Sequence, residues 1–273
     1  MCSLKIKQLK ELELTSTLTK KSHKNQNLWL FLSLTLKQTL IFVIISSISI
    51  LLKMKGFGKL NHYDGFEVIE RFNIDKNQSC EILVDWLDAQ TTFSAFEQDL
   101  LQQIQSELVL HGRAWNEEEL KINFIGFVFF LAKLNVPDKI QTFFERKMVG
   151  KVEEIPISVV VDGMVASPTK AGRPQVPYFF LQEAPSRPSP KGKERILRHD
   201  PEGQMLAAMI LAQALNKDHK PLYGCWIQGK NWNFTTLINK NYCVSKQFDA
   251  TDTEDLSQIV SILRKLKHLI LNR

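Results

Sequence analysis

The chain has 273 residues, 44% of them hydrophobic and 23% charged, enough apolar content for one substantial core and unlike either a fibre or a disordered chain. Its net charge of +6 would suit an acidic partner, but nine lysines against Glu11 and Glu13 place +7 in residues 1–55 and leave −1 for the remainder. Bulk charge in the globular part therefore gives no support for nucleic-acid binding, and any such site has to come from a local patch.

Residues 1–55 form a basic and hydrophobic extension. Within it, LWLFLSLTLKQTLIFVIISSISILL, Leu28 to Leu52, has the length of a bilayer span, interrupted by Lys37 and Gln38. Lysines flank it on both sides, so the positive-inside rule sets no orientation. Two readings stay open: a membrane anchor, or translated sequence upstream of a start at Met54. The second makes the protein cytoplasmic; the first ties it to a membrane through residues 28–52.

Residues 56–115 read as an N-terminal helical lead. Asp64 to Gln78 carries the signals of a loop or irregular segment. Asp85 to His111 is acidic and amphipathic, with Phe93, Phe96, Leu100, Leu101, Ile104 and Leu108 at helical spacing. Asn116 then predicts a helix start: it can cap, Glu117 to Glu119 suit the positive N-terminal end, and Ile122, Ile125, Phe129 and Leu134 follow up to the stop at Pro137.

The pattern changes after Pro137. Thr142 to Val152 and Ile155 to Ala166 are rich in Val, Ile and Phe and predict paired strands. Ala171 to Pro177 is a Gly/Pro loop, and Tyr178 to Gln182 a short apolar strand. Asp200 and Pro201 are a cap and first-turn pair for a helix burying Met205, Ala208, Met209 and Ala212. Leu222 to Gln228, Trp232 to Leu237 and Tyr242 to Ser245 predict three more strands, with Trp226 and Trp232 packed in the core or across the sheet. Thr253 caps a last helix that turns Leu256, Ile259, Val260, Leu263, Leu266 and Ile270 inward. Four cysteines without a CxxC pair read as reduced thiols rather than a zinc site or a disulfide framework.

Two carboxylates at strand ends carry the chemistry. ISVVVDGMVAS places Asp162 inside an apolar strand, and YFFLQE ends the next strand on Glu183. A carboxylate in such surroundings has to be paired, hydrated or metal-bound. Neighbouring strands lie about 4.8 Å apart, so carboxylates at matching ends can share one hard divalent cation.

The element order and the stretches ELKINFIGF, VVVDGMVAS, PYFFLQE, HDPEGQMLAAMILAQALN and PLYGCWIQGKNWNF resemble the PD-(D/E)XK nuclease superfamily, and within it an uncharacterised bacterial group. The resemblance covers roughly 116–270. It implies an α/β restriction-endonuclease-like core (helix, three strands, helix, strand) over 116–273, with extra C-terminal strands and a final helix. It further implies Mg²⁺ held by Asp162 and Glu183, Glu119 at an accessory acidic position, and Gln204 as a helix-borne glutamine lining the site. The expected function is Mg²⁺-dependent hydrolysis of DNA phosphodiesters, as an endo- or exodeoxyribonuclease.

One position departs from that pattern. Where the superfamily has a lysine two residues after the Glu, this chain has Pro185. A basic, Pro-rich insertion at 184–199 follows. Lys191 and Lys193 are its candidate substitutes for the lysine; loop charges without a catalytic role, or contacts to phosphate, are the other readings. A catalytically inactive nucleic-acid or protein binding module of the same fold is therefore the alternative function.

Overall fold

The computed structural model describes residues 64–183 and 200–273. Seven strands form one mixed sheet: β1 (Asp75–Asn77), β2 (Gln141–Val152), β3 (Ile155–Pro168), β4 (Pro174–Glu183), β5 (Leu222–Gln228), β6 (Asn231–Ile238) and β7 (Asn241–Asp249), in the spatial order β1-β7-β6-β5-β4-β3-β2. Strands β2, β3 and β4 run as an antiparallel meander. The connection from β4 passes through a helix and returns parallel to it as β5, and β1 is parallel to β7. This is a mixed α/β architecture.

Helices cover both faces. One layer holds α2 (Glu81–Leu87), α3 (Ala95–His111), a helix built of α4 (Glu117–Leu120), a π-helical turn (Lys121–Ile125) and α5 (Gly126–Ala132), and the C-terminal α7 (Thr253–Leu271). The other holds α1 (Gly65–Phe72) and α6 (Pro201–Asn216). Residues 64–115 belong to the same core as the rest. Trp86 of α2 is fully buried against Phe180, Tyr223 and Phe234, edge to face, and its indole N–H donates to the Ile262 carbonyl.

Local signals explain most boundaries. Asn116 and Glu119 form a capping box at α4, and Asp200 caps α6 with Pro201 behind it. Asp200 also accepts the backbone N–H of Gly65 at 2.7 Å, so one carboxylate serves two helix starts. Trp226 and Trp232 are both buried.

Several expectations fail for identifiable reasons. Asp64 to Gln78 is not irregular. Asp64 caps α1, whose Val68 and Phe72 pack inward one turn apart, a pattern too short to stand out in the sequence. The amphipathic stretch 85–111 is two helices broken before Ser94, whose own capping box restarts the chain. That restart sets a phase in which Glu97, Leu101, Ile104 and Leu108 face inward and Phe96 is exposed. The expected loop 171–177 overlaps the start of β4, and Asp252 rather than Thr253 caps α7. Cys225 is a buried free thiol, but Cys80 and Cys243 are joined in a disulfide with Cα atoms 6.2 Å apart. Their separation of 163 residues hid the pair.

Among the described residues no helix is long and apolar enough to cross a membrane. The apolar stretch 28–52 lies outside them.

Candidate functional site

The sheet contains an irregularity that the strand pattern does not announce. On β2, Phe143 and Met148 are buried in the same core layer, beside α1 and α6, although their odd separation should place them on opposite faces. On β3, Ile157, Val159 and Val161 share that layer with Met164 and Ala166. The inside–outside alternation therefore reverses on both strands. The reversal coincides with Glu145, whose φ of 50° is left-handed. Glu145 stands opposite Asp162, where the pairing skips a rung between Phe144–Gly163 and Arg146–Val161. A non-glycine residue in this region costs of order 1–3 kcal/mol and persists where its surroundings hold it.

A lysine holds it here. Lys121, the first residue of the π-helical turn, places its Nζ 2.6 Å from Glu145, 2.7 Å from Glu117 and 3.0 Å from Asp162. Glu118 stands further off at 3.7 Å. The Lys121 and Asp162 side chains are only 16% and 12% exposed. Burial alone would lower the lysine pKa. The hydrogen bonds to Glu117, Glu145 and Asp162 outweigh it and hold the ammonium well above the ordinary lysine value.

One oxygen from each of Glu117, Glu145 and Asp162 lies within 4.8 Å of the other two. Three carboxylates around one ammonium leave a formal −2. Hard oxygen donors at this spacing suit Mg²⁺ or Mn²⁺ in their chemistry, so the donor set fits the expected ion, while the ammonium competes for the same oxygens.

Of the expected site residues, Asp162 is in the cluster. Glu183 is brought beside it along the backbone: Gly163 pairs with Gln182, one step from Asp162 and Glu183 on adjacent strands, and Glu183 also pairs with Trp226 of β5. Its side chain lies outside the described residues. Glu119 turns to the Asn116 backbone N–H, accepting at 2.7 Å, and Glu117, two positions earlier, reaches the cluster instead. Gln204 is half-buried in the first turn of α6, on the opposite face of the sheet from the helix bearing Lys121. Pro185, Lys191 and Lys193 lie outside the described residues.

Sequence reasoning missed Lys121, Glu117 and Glu145. The four-residue spacing of Glu117 and Lys121 was the available signal for the first two. Glu145 had none, because a left-handed residue inside a strand is not written in hydrophobic alternation.

No protein-family model matches the chain, and no curated protein matches it significantly.

Proposed function

We propose that the protein is a divalent-metal-dependent nuclease of restriction-endonuclease-like architecture, hydrolysing DNA phosphodiesters. The observation that carries this reading is the half-buried cluster of Asp162, Glu145, Glu117 and Lys121, assembled at a strained break in the sheet beside the end of β4. The order helix, β2–β3–β4, α6, β5, with β5 parallel to β4, supports the architecture.

Asp162, with Glu145, Glu117 and Glu183 as further oxygen donors, would hold Mg²⁺. When bound, the ion supplies charge stabilisation for an in-line displacement and a more acidic water. Lys121 stays protonated, so it serves as a fixed positive charge that orients water and offsets charge on the phosphate, not as a general base. In this role it stands in for the lysine that Pro185 displaces. Glu117 and Glu145 set its position.

One observation favours the alternative of a catalytically inactive binding module. The Lys121 ammonium already satisfies three carboxylates at 2.6–3.0 Å, so the cluster is held together without a metal. Cleavage of plasmid and linear DNA with Mg²⁺ or Mn²⁺ separates the readings. The nuclease reading expects metal-dependent cleavage that Asp162→Ala abolishes. Cleavage unchanged in Asp162→Ala removes the site. A wild-type protein that neither cleaves with either ion nor gives heat when titrated with them belongs to the inactive module.

A further inference from the structure

A cleft of about 420 Å³ opens where the last turns of α7 meet the C-terminal end of α5 and the loop after α2. Lys133, Arg264, Lys265, Lys267 and His268 line it, together with Gln90 and Thr91. Among the described residues no carboxylate lines this cleft, and the cations around it are only partly neutralised from behind.

Glu97 is the buried counter-charge. It accepts from Arg264 Nη2 at 2.5 Å and from Lys133 at 2.7 Å on the same oxygen, and its other oxygen accepts the Ser94 backbone N–H. One carboxylate thus faces two cations. Lys265 is spent on the Asp85 carboxylate and on the backbone carbonyls of Asp85 and Asp88 at the end of α2. Lys267 and His268 have no ion-pair partner among the described residues.

The wall therefore keeps about two positive charges in excess, with His268 counted as neutral. The C-terminal ends of α7, α5 and α2 each offset at most about half a charge, and those of α5 and α2 are already capped by Arg264 and Lys265, so the excess is not cancelled. The guanidinium is also preorganised: Arg264 lies over the Phe93 ring at 4.8 Å, and its Nε donates to the Leu131 carbonyl. The three guanidinium N–H groups not spent on Glu97 and Leu131, in a concave wall that no described carboxylate lines, match a tetrahedral oxyanion, with the lysines as point charges around it.

We propose that this cleft is a binding site for a phosphate group, carried on a free nucleotide or on a nucleic-acid strand. It is separate from the acidic cluster: Lys133 and Lys121 stand at opposite ends of one helix, roughly 18 Å apart at the usual rise per residue. The proposal does not rest on nuclease activity.

The test is titration of the full chain with inorganic phosphate, with ATP and with a single-stranded oligodeoxynucleotide, at low and at physiological salt. The variants are Lys267→Glu and, as a milder change that spares the Glu97–Arg264 contact, Lys133→Gln. Saturable binding of at least one probe is expected, weakening as salt rises. Each variant should weaken it about tenfold or more, the cost of one charge-assisted contact. ATP binding at least as tightly as the oligonucleotide identifies a nucleotide site. Binding of the oligonucleotide alone identifies a strand contact. No saturable binding of any probe, or binding indifferent to both variants when they unfold at the wild-type temperature, overturns the proposal.

Discussion

The two ends of the α4–α5 helix carry charge arrangements that invert each other. At the N-terminal end one ammonium, Lys121, sits among Glu117, Glu145 and Asp162; at the C-terminal end one carboxylate, Glu97, is clamped by Lys133 and Arg264. The contacts are similar in length, 2.6–3.0 Å at the first and 2.5–2.7 Å at the second. The excess charge is opposite, so the same kind of ion pair leaves one end suited to a cation and the other to an anion. Contact geometry sets how firmly the groups are held, and stoichiometry sets what they can still bind.

The comparison breaks most severely if the minority charge is removed, because it holds its partners in place. Glu97 is the more deeply buried of the two, its side chain 8% exposed. Glu97→Gln leaves Arg264 without its counter-charge and should cost about 3 kcal/mol or more, read by chemical denaturation. Hydrogen bonds from Lys133 first, then from the Ser94 backbone and Arg264, lower the Glu97 pKa from 4.5 to about 2. A carboxylate whose folded pKa is depressed contributes stability that is complete above its unfolded value and lost as pH falls through the folded one. Stability should therefore decline between pH 4.5 and 2 in the wild type, and this part of the decline should be missing in Glu97→Gln. An unchanged acid limb would show that Glu97 is not the group responsible.

At the other end the minority charge is Lys121, and its three partners remain partly hydrated. Lys121→Met should cost less, about 1–2 kcal/mol, since the released carboxylates can turn to water. Its more informative consequence concerns cations. With the ammonium gone, the cluster rises from a formal −2 to −3, so Mg²⁺ or Mn²⁺ should raise the thermal midpoint of Lys121→Met more than that of the wild type. If Lys121 also offsets phosphate charge, the same variant binds metal better and cleaves DNA worse. Equal metal response in both proteins would mean that the lysine does not compete for these oxygens.

What could be read from the sequence follows from which interactions are local. The caps at Asn116 and Asp200, the order of strands and helices from 116 onward and the buried tryptophans all depend on neighbouring residues or on simple periodicity. Asp162 stood out because a charge in VVVDGMV violates its surroundings. Glu97 did not, because its partners are 36 and 167 positions away. Glu145 was invisible for a different reason. Its importance depends on a backbone conformation that reverses strand alternation on β2 and β3 together, and no residue pattern within β2 encodes that reversal.

The smallest expected effect sharpens the distinction between contact and proximity. Glu118 lies 3.7 Å from Lys121 but is 73% exposed, where water and salt screen most of the attraction. Glu118→Gln should change stability by less than about 0.5 kcal/mol and leave metal response and cleavage at wild-type levels. Glu117→Gln, one residue away, removes a 2.7 Å contact from a side chain only 25% exposed. It should weaken both metal response and cleavage. If the two substitutions behaved alike, the cluster would be acting as a diffuse negative field in which any nearby carboxylate counts. If only Glu117→Gln has an effect, the site is defined by the oxygens in contact with Lys121, and the break in the sheet at Glu145 is what brings the third of them there.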